Sequence, residues 1–286
     1  MADVSFEPHR RALFGVAYRM LGSAAEAEDV VQEAFLRWQA LSPSVVEKID
    51  SPRAFLTTVV TRLCLDQLKS ARVRREEYVG PWLPEPIATV QEDTIDAESI
   101  SLAFLLLLET LSPTERAVYV LKTAFDFRHS EIAEMLQLED AACRQIFHRA
   151  EAHVRARRPR FAPSQAAHLQ LMTGFFGAVS SGDLPSLVRL LASDVQAVTD
   201  SGGKVGAARR ELHGPEVVAR FLCGLAKKGT AGTTPELVQA NGWPALLLRR
   251  NGEPETLLMI ETDGEKVFAV RMVRNPDKLG AFRSAG

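Results

Sequence analysis

Arg144, Gln145, His148 and Arg149 carry forked or paired hydrogen-bonding groups, and their spacing puts them on one side of a helix. At about 100° per residue, Cys143, Ile146, Phe147, Ala150 and Val154 fall on one arc, and Arg144, Gln145, His148, Arg149 and Arg155 on the other. One arc packs, and the other has the chemistry to enter a major groove, where Arg pairs bidentately with guanine and Gln with adenine. The stretch 130–155 therefore reads as two short helices joined by a tight turn, a helix-turn-helix. A bidentate Arg–guanine pair discriminates by roughly 1–3 kcal/mol, which makes Arg144 the leading base reader. Arg149 stands open between base edge, phosphate clamp and structural ion pair, and His148 between base contact and bystander. Without further context the same pattern describes an ordinary solvated amphipathic helix.

Covalent chemistry finds less support. Asp194, Asp200, His168 and His213 are nominal acid–base groups, but nothing in their spacing pairs a base with a polarising donor. No catalytic residue and no enzymatic activity is assigned. Cys64, Cys143 and Cys223 lie far apart in apolar surroundings, without metal or disulfide spacing, and read as core thiols. No metal or cofactor is expected.

A chain of 286 residues is long enough for two or three domains. Its formal net charge of −2 argues against indiscriminate polyanion binding. Local charge differs: Lys69, Arg72, Arg74 and Arg75 form one basic cluster and Arg155, Arg157, Arg158 and Arg160 another. Each ends an expected helix, where phosphates or the macrodipole alone would favour cations. The apolar stretch 13–21 is interrupted by Arg19, and 100–108 is too short to span a bilayer. The chain reads as cytoplasmic, with no membrane partner.

The elements that position these residues follow from helix and turn signals. Residues 1–75 form a helical domain, with starts at Ser23 followed by Glu26 and at Ser51-Pro52. Residues 76–96 contain three prolines and an acidic tail and read as a linker. A second helical domain spans 97–160, and Ser112-Pro113-Thr114-Glu115 supplies its capping box. Residues 161–286 change to α+β texture. A helix is expected at 168–178 and strands at 245–249, 255–261 and 266–273, the last three joined by turns at Asn251-Gly252 and Asp263-Gly264. A curved antiparallel sheet packed by helices is the simplest architecture.

Along one helical face, Asp29, Gln32 and Glu33 stand beside packing positions Val30, Ala34 and Phe35. Together with Ser51-Pro52-Arg53-Ala54-Phe55-Leu56, the helix through Leu65-Asp66 and the later LSPTERAV segment at 111–118, this order resembles bacterial extracytoplasmic-function sigma factors over residues 8–157. The resemblance implies two all-α sigma domains, a region 2 helical bundle and a region 4 helix-turn-helix. It further implies that Asp29, Gln32 and Glu33 dock on the clamp helices of the largest RNA polymerase subunit. Region 2 would meet the promoter −10 element near 41–50, with Lys48, Arg53, Arg62 and Lys69 on adjacent phosphates. Phe55 and Arg62 depart from the tryptophan and asparagine of many relatives, and Phe55 reads as a core residue. Region 4 would read the −35 element through Arg144, Gln145, His148 and Arg149.

Within that family the chain resembles the sigma-J-like subgroup. Tyr78-Val79-Gly80-Pro81-Trp82-Leu83-Pro84-Glu85-Pro86 is similar to its linker motif and Asn275-Pro276-Asp277-Lys278-Leu279 to its C-terminal motif. Asp200-Ser201-Gly202-Gly203-Lys204 is similar to a third, in which a glycine usually stands at the position of Ser201. A serine there would restrict the loop if that position needs positive φ. The resemblance implies a C-terminal SnoaL-like cone that regulates the attached sigma factor, with a small ligand or regulator as a further partner. In that reading Tyr78, Trp82, Asp200, Lys204, Asn275, Pro276, Asp277 and Lys278 form the interdomain contacts. The function so implied is an alternative sigma factor that binds core RNA polymerase and directs initiation at promoter DNA. The alternative is a one-component, ligand-sensing regulator, for which the acidic face of Asp29, Gln32 and Glu33 would have no use.

Overall fold

The computed structural model describes residues 2–89, 100–157, 163–229 and 232–283, side chains excepted at 2–5, 70–76, 157 and 229. The acidic end of the linker, the Arg72, Arg74, Arg75 and Arg157 side chains, and Arg158 and Arg160 lie outside the described residues. The chain forms two compact units, Met1–Glu76 with Phe104–Arg158 and Glu77–Ala103 with Pro159–Gly286.

The first unit is helical. Helices α1 (Ala2–Leu21), α2 (Ala24–Gln39) and α4 (Pro52–Glu76) pack around wholly buried Leu13, Tyr18, Met20, Trp38 and Leu56. Trp38 meets Phe55 at a ring-centroid distance of 5.8 Å, so Phe55 is a packing residue of this core. Removing an indole from such a site costs about 3–5 kcal/mol. The helix starts follow the side-chain signals: Ser23 Oγ accepts from Glu26 N at 3.3 Å, and Ser51 Oγ from Ala54 N at 3.2 Å. Between them, the 41–50 segment holds one helical turn, α3 (Pro43–Val46), initiated by Pro43 at its first position.

Helices α5 (Leu102–Glu109), α6 (Pro113–Thr123), α7 (His129–Leu136) and α8 (Asp140–Arg157) follow. Ser112 and Glu115 close a reciprocal capping box at the start of α6, with Ser112 N donating to Glu115 Oε2 at 3.1 Å. The turn between α7 and α8 is made by Gln137 in the left-handed conformation, φ 57° and ψ 46°. Leu138 N then reaches back to the Ala133 carbonyl at 2.8 Å, which ends α7 and aims α8 across it.

The second unit is α+β. Helices α9 (Gln165–Ser181), α10 (Leu184–Leu190) and α11 (Pro215–Gly229) back a six-stranded sheet. Its strands are β1 (Leu191–Asp200), β2 (Leu212–His213), β3 (Thr233–Ala240), β4 (Trp243–Arg250), β5 (Glu253–Thr262) and β6 (Val267–Val273), in the order β2-β1-β6-β5-β4-β3. Leu171, Met172, Phe175, Leu187, Val218 and Leu222 from the helices meet Val195, Ala197, Leu258, Ile260, Val270 and Met272 from alternate strand positions.

The sheet is mixed, not antiparallel as expected, because β1 runs parallel to β6. The hairpins within 245–273 do pair antiparallel, as their turns predict. One of these is closed by Asn251 and Gly252 at φ 53° and 85°, the signs a two-residue turn of type I′ demands. No tight turn links β1 to β6. The chain returns to β1 only after β2, α11 and three further strands, and so long a connection permits parallel pairing.

Candidate polymerase and nucleic-acid surfaces, and a linker clamp

On α2 the side chains of Asp29, Gln32 and Glu33 are all exposed, while Val30, Val31 and Ala34 are buried. Glu33 Oε1 pairs with Arg37 Nε at 2.8 Å. Leu36, 51% exposed, follows on the same face. The result is an acidic and amide surface with one apolar contact point, suited to a basic partner face.

The four cations expected near the −10 element divide into two pairs. Lys48 is exposed beyond α3, and Lys69 pairs locally with Asp66 at 2.8 Å. The hydrogen bond from Lys69 holds the Asp66 carboxyl below its usual range. Arg53 and Arg62 instead reach the second helical group of the same unit. Arg53 Nη2 donates to the Phe125 carbonyl at 2.8 Å, with its guanidinium 4.9 Å from the centroid of the Phe127 ring. Arg62 Nε donates to the Met135 carbonyl at 3.1 Å.

Helix α8 presents the two faces its sequence pattern requires. Cys143, Phe147, Ala150 and Val154 are buried, and Arg144, Gln145, His148 and Arg149 are exposed. Arg144 Nη2 contacts Asp140 Oδ2 at 2.7 Å one turn back, and Arg149 approaches Glu115 Oε1 at 3.8 Å. Exposed pairs of this kind contribute little and release readily. The Ser112 hydroxyl is the main reason the Glu115 carboxyl lies below its usual range.

In the second unit, the linker and the two C-terminal motifs converge on Asp200, whose side chain is wholly buried. Its Oδ1 accepts from Tyr78 Oη at 2.5 Å and Gly202 N at 3.1 Å, and its Oδ2 from Leu83 N at 2.8 Å and Lys278 Nζ at 2.7 Å. Lys278 Nζ also donates to the Leu83 carbonyl at 2.5 Å. It lies 5.0 Å from the Tyr78 ring centroid and 4.5 Å from that of Trp82, so two aromatic faces supplement the ion pair. Asn275 Nδ2 donates to Tyr78 Oη at 2.9 Å. Burial, followed by the bond to Asp200, pushes the Tyr78 phenol pKa up, which keeps it a donor. Satisfied on all sides, a buried carboxylate becomes tolerable; losing one partner typically costs about 3–5 kcal/mol.

The loop after Asp200 is shaped for this approach. Gly202 and Gly203 take φ of 57° and 73°. A Cβ on Gly202 would lie 2.6 Å from Asn275 Nδ2, and one on Gly203 2.9 Å from Val79 Cγ1. Ser201 is not among the positive-φ residues, so the glycine usual at its position is dispensable here, and its hydroxyl accepts from Gly203 N at 3.3 Å. Lys204 pairs with Asp277, while Asn275 Oδ1 caps a 3-10 turn that starts at Pro276 by accepting from Asp277 N at 3.2 Å.

A second anchor lies at the turn between β3 and β4. Asn241, 1% exposed and at φ 53°, accepts from Ile87 N at 3.1 Å through its side chain and donates Nδ2 to the Ile100 carbonyl at 2.8 Å. Its own backbone N–H donates to the Ile87 carbonyl at 2.9 Å, and Thr89 N to Gln239 O at 3.1 Å, so the linker adds a short bridge to the end of β3. In sequence, Asn241-Gly242 resembles any hairpin turn. Of the nominal acid–base groups, only Asp200 joins a site, and it is fully committed to the linker. His168 is buried against Trp243 at 5.1 Å, with burial lowering its pKa.

A helical bundle with an exposed acidic helix, joined to a helix-turn-helix with a basic outer face, defines an RNA polymerase sigma factor. Residues 6–74 match the family model for Sigma-70 region 2, and residues 101–154 that for Sigma-70 region 4. The chain belongs to the extracytoplasmic-function (ECF) RNA polymerase sigma factors. It is 39% identical to the ECF RNA polymerase sigma factor SigJ of Mycobacterium tuberculosis, covering 96% of this chain and 91% of that one. With the probable ECF RNA polymerase sigma factor SigI of the same organism the identity is 30%, over 99% and 96% of the two chains. The crystal structure of Mycobacterium tuberculosis SigJ superposes with a TM-score of 0.78 at 36% identity, covering 96% of this chain and 97% of that one. The protein is thus an alternative sigma factor that directs transcription initiation, and no enzymatic step belongs to that role. No described helix is long and apolar enough to cross a membrane.

Proposed function

We propose that this sigma factor is controlled in cis by its C-terminal domain, which holds the interdomain linker and so biases the spacing of the two DNA-binding regions. The supporting observation is the buried Asp200 carboxylate, shared among Tyr78, Leu83 and Lys278. In this reading residues 1–75 and 97–160 are the working sigma regions, 76–96 the linker, and 161–286 the regulatory domain. Asp29, Gln32 and Glu33 contact the clamp helices of core polymerase. Lys48, Arg53, Arg62 and Lys69 hold phosphates near the −10 element, and Arg144, Gln145, His148 and Arg149 face the −35 element. Tyr78, Trp82, Asp200, Lys204, Asn275, Pro276, Asp277 and Lys278 carry the regulatory contact. The site of action is the cytoplasm, where polymerase and promoter are found, and a small ligand in the C-terminal domain is one route by which a signal would reach the clamp.

The test is promoter-dependent transcription with core polymerase, comparing the full chain with a form ending after Arg160. A difference in output at the same promoters supports control in cis and gives its sign. Equal output from both forms rejects it while leaving the sigma activity intact.

A further inference from the structure

Three arginines of the helix-turn-helix domain share one kind of partner, a carboxylate in the first turn of a helix. Arg144 Nη2 lies 2.7 Å from Asp140 Oδ2, and Asp140 is the first residue of α8. Arg149 Nη2 approaches Oε1 of Glu115, in the first turn of α6, at 3.8 Å. Arg128 Nη2 lies 3.2 Å from Oε1 of Glu131, in the first turn of α7. The first N–H groups of a helix lack intrahelical acceptors and carry the positive end of its dipole, so a carboxylate is stable there without an arginine.

The carboxylates are fixed more firmly than the arginines. Glu115 Oε2 accepts from Ser112 N at 3.1 Å and from Ser112 Oγ at 2.7 Å, and Glu131 Oε2 accepts from Arg128 N at 2.7 Å. Asp140 Oδ1 is buried, and the side chain meets Arg144 through its other oxygen. The side chains of Arg144, Arg149 and Arg128 are 56%, 64% and 78% exposed, so each can exchange its partner at small cost.

A guanidinium presents several N–H donors in a planar fork. Arg144 can therefore keep Asp140 on one edge and pair with guanine O6 and N7 through another. A phosphate meets the arginine and also the fixed carboxylate beside it, and like charges at short range repel. Phosphate contacts supply the sequence-independent part of DNA affinity, so carboxylates within the reading surface subtract from that part first. Specificity rises because wrong sites lose more than the right one.

We propose that Asp140 and Glu115 are positioning residues for −35 recognition, which aim Arg144 and Arg149 at base edges and hold phosphates off them. This rests on the reading of α8 as the −35 helix.

The test uses the full chain bound to core polymerase, with duplexes carrying either a −35 element selected from a randomised pool by the parent holoenzyme or a scrambled one. Asp140→Asn keeps the size of the side chain, and Glu115→Gln keeps the capping box. Each should raise affinity for the scrambled duplex by about two- to five-fold and steepen its salt slope by about one, while affinity for the selected duplex rises less. A folding defect would weaken binding to both duplexes together, so equal losses overturn the proposal, as do an unchanged affinity ratio and slope. Arg144→Ala and Arg149→Ala test the underlying reading separately. If they lower the selected-to-scrambled ratio and the carboxylate variants do not, the positioning role falls and α8 remains the −35 helix. If none of the four variants lowers it, the −35 reading of α8 falls as well.

Discussion

Lys278 Nζ stands 2.7 Å from Asp200 Oδ2, and the carboxylate it pairs with is wholly buried. The two residues lie in different motifs, and the linker backbone at Leu83 bonds to both, its N–H to Asp200 and its carbonyl to Lys278. Removing one partner exposes the asymmetry of buried pairs. Lys278→Met should destabilise the chain by about 3–5 kcal/mol, because a buried carboxylate loses its counter-charge. Asp200→Asn combined with Lys278→Met should cost less than Lys278→Met alone. Urea denaturation of the two variants beside the parent chain measures the order, and a double variant less stable than the single would contradict it.

The glycines of the loop after Asp200 should be unequal to their neighbour. Gly202→Ala meets both positive φ and the Asn275 side chain, so a loss of about 1–3 kcal/mol is expected. Ser201→Gly should change stability by less than about 1 kcal/mol, since no positive φ is required there. Thermal melts of both variants decide this; equal losses would mean the loop conformation is not what selects glycine.

Base reading and phosphate holding should separate on DNA. Arg144→Ala should lose roughly 1–3 kcal/mol of discrimination at one −35 position. Lys48→Ala should weaken binding to all promoters alike and reduce the salt slope by about one. Affinities of promoter variants across a salt series, measured with the polymerase holoenzyme, show which residue does which. A uniform loss for Arg144→Ala would reassign it to the backbone.

His168 predicts a pH effect of definite sign. Its ring hydrogen-bonds to the Pro244 backbone, whose only polar group is a carbonyl, so that ring nitrogen carries the proton. The other nitrogen, Nε2, is buried with no hydrogen-bond partner among the described residues, and burial lowers the ring's pKa. In the unfolded chain a histidine titrates near its ordinary value of about 6.5, so below that pH the unfolded state holds more protons. The stabilisation is therefore present above about pH 6.5 and is lost as pH falls toward the folded value. Tm should drop between about pH 7.5 and 5.5, and His168→Phe should flatten that drop. An identical slope in the variant would place the sensitivity elsewhere.

Local signals were legible where a few residues decide the outcome. The capping residues Ser23, Ser51 and Ser112 mark their helices, and the two faces of α8 are written in its spacing. The Asn251-Gly252 hairpin follows equally from its turn chemistry. Non-local relations were not legible. The parallel pairing of β1 with β6 depends on where a long excursion returns, and Asn241 looks like a turn residue until Ile87 and Ile100 are brought to it. Arg53 and Arg62 show the same limit, since a cation's sequence position does not tell whether a phosphate or a helix end will meet it.

The most direct measurement is promoter-dependent transcription by core polymerase with the full chain and with Trp82→Ala, alongside their thermal melts. Trp82 contributes an aromatic face to Lys278 in the clamp. If the C-terminal domain acts through the linker, Trp82→Ala should change promoter output several-fold while Tm falls by no more than the few degrees that the loss of one cation–π contact accounts for. Unchanged output at every promoter tested would contradict control through the linker.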